Sequence, residues 1–108
     1  GVLLVREGVV ASATPPLQHM FNYPYQLACP QMGARSDSPS SADRFQVELR
    51  VGDVLVLGSD GLLDNVFHEE IARVVSANSG EPARRIAHML AHRASEHSGD
   101  RTYPSPFA

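Results

Sequence analysis

The residues best suited to chemistry lie close together, between positions 60 and 65. Asp60 follows the apolar run Val54–Leu57 after a short gap and is itself followed by Gly61. A buried strand would hold the Asp60 carboxylate rigidly, and a glycine would let the backbone turn sharply beside it. Asp64 follows one short turn later, and the oxygen ligands of such a pair suit Mg²⁺ or Mn²⁺ better than zinc. Asp60 and Asp64 are therefore candidate metal ligands, with Gly61 as a structural residue of the site.

A simpler interpretation of the same residues needs no metal. Asp-Gly is one of the commonest turn dipeptides, and either Asp64 or Asn65 could cap the helix that follows. Taken alone, the pair Asp60-Gly61 favours this turn-and-cap interpretation over a metal site. Only the wider sequence can distinguish the two.

The apolar pattern predicts two pairs of strands around these residues. Val2–Val5 and Val9–Val10 are apolar and β-branched, and Gly8 between them can supply the positive φ of a tight hairpin. Arg44–Arg50 alternates between polar and apolar residues, which predicts a half-buried antiparallel strand. A turn at 51–53 then leads into Val54–Leu57, whose continuous apolar character predicts a central strand buried on both faces.

The remaining chain predicts two long irregular segments and two helices. His19–Pro30 is irregular and aromatic, and Gln31–Ala42 is rich in Ser, Pro and Gly, as expected of an exposed loop. Two later segments, separated by Ser79–Pro82, have apolar residues at helical spacing. These residues are Ile71, Val74 and Val75 in the first segment and Ile86, Leu90 and Ala94 in the second. The order of elements predicts an α+β fold with helices on an antiparallel sheet.

The composition excludes several classes of protein. The 108 residues carry a formal net charge of −3, which argues against a basic nucleic-acid-binding surface. Cys29 is the only cysteine, so neither an internal disulfide nor a zinc site built from cysteines is possible. No apolar run approaches the length of a membrane span. We therefore expect neither nucleic acid nor membrane as a partner; the oligomeric state is not indicated.

Four segments resemble one known family, in the order that the family has them. Gly52–Asn65, with the sequence GDVLVLGSDGLLDN, is similar to the metal-binding motif near the C-terminal end of protein phosphatase 2C enzymes, the metal-dependent PPM family. His19–Leu27, with the sequence HMFNYPYQL, resembles an element of the subgroup that includes the mitochondrial homologues and their plant relatives. Ser36–Pro39 and Ser105–Ala108 also resemble that subgroup. The chain differs from the subgroup at 13–16 and in a shorter loop at 31–42, both away from the metal motif.

The resemblance implies a fold and an activity. The fold would be two stacked antiparallel sheets flanked by helices, with a binuclear Mg²⁺ or Mn²⁺ centre at one end. Asp60 would ligate one metal, and Asp64 would serve an accessory metal or hold the turn; no catalytic residue is assigned in this chain. The activity would be hydrolysis of phosphoserine and phosphothreonine in a phosphoprotein substrate by metal-activated water. An intracellular location is implied, with the mitochondrion or plastid suggested by the subgroup.

The same resemblance predicts that residues 1–108 are a fragment of a single catalytic domain. The family's N-terminal acidic ligands and its last ligand-bearing strand would lie outside the chain, so we expect the chain by itself to be inactive. Two alternatives remain open at this point. One is a pseudophosphatase or regulatory binding module on the same fold, and the other is an unrelated small interaction domain in which Asp60-Gly61 is only a turn.

Overall fold

The structure, a computed structural model, describes residues 1–29 and 36–108 and divides them into two compact units. The first unit combines Gly1–Thr14 with Leu49–Ala108, and the second is Pro15–Glu48. The strands are β1 (Val2–Arg6), β2 (Val9–Ala13), β3 (Gln18–Met20), β4 (Tyr23–Pro24) and β5 (Val54–Leu57). The helices are α1 (Asp60–Leu63), α2 (His68–Ala77) and α3 (Ala83–Gly99), with one turn of 3-10 helix at Pro39–Ser41. The predicted α+β class is confirmed.

The first unit contains a three-stranded antiparallel sheet in the order β2-β1-β5. The predicted hairpin is present, and its turn is formed by Glu7 and Gly8 with φ angles of 51° and 81°. Two consecutive positive φ angles match the twist of the flanking strands, which explains why a two-residue turn closes the hairpin. β1 lies in the middle of the sheet, where Leu3 pairs with Val56 of β5.

The strand Val54–Leu57 is confirmed, but its burial on both faces is not. Val56 is buried, whereas Leu55 is 42% and Leu57 is 73% exposed. β5 pairs only with β1 among the described strands, so it lies at the edge of this sheet. Side chains alternate between the two faces of a strand, and here only the face of Val56 meets the helices. The continuous apolar run therefore predicted the strand correctly but was wrong about the burial of both of its faces.

The predicted strand Arg44–Arg50 is wrong, because these residues form no regular secondary structure. The side chains expected to face a core, Phe45, Val47 and Leu49, are 56%, 48% and 58% exposed. Alternation shows which residues could share a face, but a strand also needs a neighbour to accept its backbone hydrogen bonds. The described strands do not supply one here. The turn after it is confirmed, since Gly52 has a φ of 93° and the Asp53 N–H donates to the Arg50 carbonyl at 3.1 Å.

Both long helices are confirmed, and they cover one face of the three-stranded sheet. Glu69 and Glu70 lie in the first turn of α2, where the helix dipole favours acidic side chains. Pro82 precedes the first residue of α3 rather than lying in its first turn. The core cluster is made of Leu3, Val5, Val56, Val66, Ile71, Ala72, Val75, Ile86, Leu90 and Ala94. No helix among the described residues is long and apolar enough to cross a membrane.

The second unit contains a small hairpin, so the prediction of irregular structure from residue 19 onward is wrong in part. β3 and β4 pair as an antiparallel two-stranded sheet. Asn22 in the turn has a φ of 57°, a conformation that asparagine tolerates better than most residues. The His19 imidazole stacks on the Tyr25 ring at a centroid distance of 3.9 Å, and its Nε2 lies 3.0 Å from Asp37 Oδ1. The predicted loop falls partly outside the described residues; its described part, 36–42, is mostly exposed.

Candidate metal site

Asp60 is the first residue of α1, a helix of four residues. β5 ends at Leu57, and Gly58 and Ser59 connect it to α1, so the strand does position Asp60 as the sequence predicted. Asp60 is exposed, and the structure shows no hydrogen bond or ion pair to its carboxylate from the described residues. A carboxylate that is anchored by its backbone and open at its oxygens can accept a ligand without first breaking another contact.

Asp64 directly follows the last residue of the same helix as its C-cap, and its surroundings differ from those of Asp60. It is half-buried, and its backbone N–H donates to the Asp60 carbonyl at 2.9 Å, which places the two acids one helical turn apart. Burial raises the pKa of the Asp64 carboxyl, and the negative charge of Asp60 raises it further. A cation shared by both carboxylates would relieve this repulsion and favour the ionised form.

The capping interpretation of Asp64 and Asn65 is wrong for the helix that follows. The residue that precedes α2 is Phe67, and no side chain caps this helix end. The Asn65 side chain turns back instead, and its Nδ2 donates to the Gly61 carbonyl at 3.0 Å. Neither residue therefore satisfies the backbone of α2.

The glycine that the structure needs in this connection is Gly58 rather than Gly61. Gly61 is a helical residue of α1 and does not have a positive φ, so the turn does not require its conformational freedom. A Cβ built at Gly58 would lie 2.8 Å from Leu62 Cδ2 and 3.3 Å from Leu62 Cβ. Gly58 thus allows α1 to pack closely against the end of β5. Sequence reasoning missed it because a close approach leaves no local signature.

One side chain and one backbone amide, both distant in sequence, hold the segment that follows α1. His97, on the last turns of α3, has its Nδ1 2.7 Å from the Asn65 carbonyl oxygen. The Phe107 N–H donates to the Asp64 carbonyl at 3.3 Å, which gives a structural use to the C-terminal segment that the sequence singled out. Both acceptors are carbonyls at the end of α1, where a helix leaves such groups without internal partners.

A second long-range contact fixes the turn before β5. Arg6 Nε and Nη2 donate to Asp53 Oδ1 and Oδ2 at 2.9 and 2.7 Å, so the pair is bidentate. The hydrogen bond from Arg6 is the largest cause that lowers the pKa of the Asp53 carboxyl to about 2, followed by the hydrogen bond from the Arg50 N–H. Asp53 belongs to the motif GDVLVLGSDGLLDN, but its position there did not reveal its partner in β1. Its role is to fasten the start of β5 to the sheet.

The acidic pair fits one side of a divalent-metal site but does not complete one. Carboxylate oxygens are the ligands that Mg²⁺ and Mn²⁺ prefer. Within residues 1–29 and 36–108, no group of three or more histidine, cysteine, aspartate or glutamate side chains could hold a metal ion by itself. The predicted assignments of Asp60, Asp64 and Gly61 therefore stay predictions.

Comparison with known proteins places this chain within much longer relatives. No family model matches it. Probable protein phosphatase 2C 26 of Arabidopsis thaliana is 40% identical over 108 residues, which are 100% of this chain and 35% of the relative. Probable protein phosphatase 2C 80 of the same plant is 39% identical over 110 residues and is covered to 26% of its length. The Homo sapiens Protein phosphatase PTC7 homolog is 34% identical over 116 residues and is covered to 38%. The chain thus spans 26% to 38% of these relatives.

A solved structure agrees with the sequence comparison. The X-ray structure of the photosystem II phosphatase PBCP superposes with a TM-score of 0.87 at 37% identity, covering 98% of this chain and 40% of that one. The resemblance to the protein phosphatase 2C family is therefore confirmed: in sequence and in fold, this chain matches one continuous segment of such a phosphatase.

Proposed function

We propose that this chain supplies one side of the metal site of a protein serine/threonine phosphatase that depends on Mg²⁺ or Mn²⁺. Asp60 would be a metal ligand, and Asp64 would serve an accessory metal or hold the turn. The substrate class would be phosphoserine and phosphothreonine residues of proteins. The names of the relatives, all protein phosphatases, support this proposal.

The observation that carries the proposal is the pair of carboxylates at the two ends of α1. Asp60 is exposed and without a protein partner among the described residues, while Asp64 is half-buried one turn away. Their mutual repulsion contributes to the raised pKa of the Asp64 carboxyl. In the described parts of the chain, no basic side chain forms an ion pair with Asp60. Two acids in this arrangement are suited to bind a cation.

The bound ions and the chain have separate tasks in this mechanism. When bound, divalent ions supply the positive charge that lowers the pKa of water and neutralises phosphoryl oxygens. The chain supplies position, because Gly58 brings α1 against the end of β5, and His97 and Phe107 hold the two carbonyls that follow. Asp60 then presents its oxygens at a fixed point, which lets a hydrolytic water and a phosphate be aligned with little reorganisation.

The proposal requires ligands from outside the described residues, since these contain no group that completes a metal site. We therefore also propose that Gly1–Ala108 alone would not hydrolyse phosphate esters. An intracellular location, in the mitochondrion or in a plastid, stays a prediction from the subgroup resemblance.

The proposal can be tested by removing one charge from Asp60 in the intact protein that carries this chain. Asp60→Asn keeps the side-chain shape, and we expect the Mn²⁺-dependent hydrolysis of p-nitrophenyl phosphate and of a phosphothreonine peptide to fall about a hundredfold or more, or ~3 kcal/mol. Asp64→Ala should cost less, and raising the Mn²⁺ concentration should recover part of that loss. Glu69→Gln, which removes an exposed charge from α2, is the control and should leave activity unchanged.

Two outcomes would contradict the proposal. If Asp60→Asn retains activity within about threefold of the wild type, a change below ~1 kcal/mol, Asp60 is not at the metal site. If the intact wild-type protein binds no Mn²⁺ by calorimetry and hydrolyses neither substrate, the pseudophosphatase or binding-module alternative is the better description.

A further inference from the structure

We propose that His97 is a positioning residue for the metal site, holding the segment after α1 so that Asp60 and Asp64 keep their geometry. The inference rests on the proposed function for the role of the two acids. It rests on the structure alone for the contacts that fix α1.

The helix that carries both acids cannot fix its own position. α1 has only four residues, whereas isolated helices shorter than about 12–15 residues are marginal in water. Leu62 and Leu63 pack against the core from this helix, but they are only partly buried. The placement of α1 therefore depends on contacts from outside the helix, which include the buried side chain of Val66 and the hydrogen bonds to the residues that follow α1.

His97 provides the shorter of the two hydrogen bonds described above, at 2.7 Å against 3.3 Å for the Phe107 N–H. Its Nδ1 lies 2.7 Å from the Asn65 carbonyl, which can only accept, so the imidazole must carry its proton on Nδ1. The side chain of Asn65 in turn contacts α1 itself, since its Nδ2 donates to the Gly61 carbonyl at 3.0 Å. Through Asn65, the His97 imidazole is thus connected to the peptide that follows Gly61, the residue next to Asp60.

The His97 ring is itself held on two other sides. The Tyr103 ring stacks on it at a centroid distance of 3.8 Å and an interplanar angle of 25°. Glu70 of α2 places Oε1 3.7 Å from His97 Nε2, and the same oxygen lies 3.4 Å from Arg93 Nη1. The His97 side chain is only 15% exposed. An imidazole that is stacked on a ring and hydrogen-bonded at Nδ1 has few alternative rotamers, as a positioning residue requires.

A series of substitutions separates the hydrogen bond from the packing. His97→Phe keeps a ring for Tyr103 to stack on but removes the donor, whereas His97→Asn places an amide N–H near the Nδ1 position. The control is His92→Phe on the same helix, where the side chain is 75% exposed and pairs with Glu96. Each variant is made in the intact protein.

We expect His97→Phe to raise the Mn²⁺ concentration for half-maximal phosphatase activity about tenfold, the lower end of losses for residues that orient metal ligands. His97→Asn should stay within about threefold of the wild type, and His92→Phe should not change. Amide hydrogen exchange is the readout that does not depend on activity. The amides of residues 64–66 should exchange faster in His97→Phe, while those of Ile71 and Val75 in α2 should keep their protection.

The results distinguish this inference from the proposed function. One result would be faster exchange at 64–66 in His97→Phe together with no effect of Asp60→Asn on metal dependence. This result would refute the metal site. His97 would then support α1 only, which overturns its role as a positioning residue for metal ligands. A lower unfolding midpoint for His97→Phe with unchanged exchange at 64–66 and unchanged metal dependence would overturn it too. Should His97→Phe fail to fold, His97→Gln replaces it, because its longer amide reaches the Nε2 position instead of Nδ1.

Discussion

Replacing Gly58, just before α1, by alanine should destabilise the protein, whereas the same replacement at Gly61 within α1 should not. A Cβ at Gly58 would lie 2.8 Å from Leu62 Cδ2, and this methyl group can rotate away. The same Cβ would lie 3.3 Å from Leu62 Cβ, which is attached to the helix backbone and can give way only if α1 shifts by a few tenths of an ångström. Such overpacking costs ~1–3 kcal/mol. Gly58→Ala should therefore destabilise the protein and move Asp60.

Gly61→Ala is the matched control, because its Cβ would meet only Ser59 Oγ at an ordinary contact distance of 3.4 Å. Alanine is favoured over glycine inside helices by up to ~1 kcal/mol, so this variant should be neutral or slightly more stable. A destabilisation of 1 kcal/mol lowers the thermal midpoint by about 2–8 °C for domains of 60–250 residues. The assay is thermal unfolding of the intact protein, with the Mn²⁺ dependence of its activity measured in parallel.

The expected result is a lower midpoint and a weaker Mn²⁺ response for Gly58→Ala, and no loss for Gly61→Ala. The opposite ranking would refute the reasoning. It would show that the backbone at Gly61 needs a glycine, as the sequence first suggested, and that the close contact between Gly58 and Leu62 is relieved without cost.

Three further substitutions test the fold itself. Arg6 stabilises the ionised Asp53 carboxylate, so the contribution of this pair to stability is complete above the ordinary pKa of 3.8 and is lost as the pH falls towards about 2. The free energy of unfolding in urea should therefore change less with pH over this range for Asp53→Asn than for the wild type. Glu7 has a positive φ of 51°, and Glu7→Asn should raise the free energy of unfolding by up to ~1 kcal/mol in the same assay. Ile71 is 0% exposed, and Ile71→Ala should lower the free energy of unfolding by ~2–5 kcal/mol.

Each of these expectations has a result that contradicts it. Parallel pH curves for Asp53→Asn and the wild type would mean that the ion pair with Arg6 does not contribute to stability. A loss of stability in Glu7→Asn would mean that the turn is held by the glutamate side chain. A loss below ~0.5 kcal/mol in Ile71→Ala, the range typical of surface positions, would mean that the core described around α2 is not formed.

The sequence by itself determined part of the local structure of this chain. The first hairpin and both long helices were predictable because the φ angle of a turn and the spacing of apolar residues are properties of a few neighbouring positions. The order strand, acidic residue, short turn and second acidic residue was equally local. It placed Asp60 at the end of β5, and together with the three other segments it was sufficient to indicate the family.

Only the tertiary structure decided which face of each strand is buried and which partner each polar group contacts. Leu55 and Leu57 continue an apolar run yet stay exposed, and Phe45 and Val47 alternate with polar residues yet lie in no strand. Apolar pattern shows which side chains can be buried together, but burial also requires a partner surface that the pattern does not specify.

The contacts that hold the site depend on the fold in the same way. Asp53 finds Arg6 across 47 positions, and His97 finds the Asn65 carbonyl across 32. No spacing rule connects residues so far apart, because their distance is set by how the strands and helices pack. Two carboxylates one helical turn apart can be recognised from the sequence, whereas the side chains that fix them in place become visible only once the chain is folded.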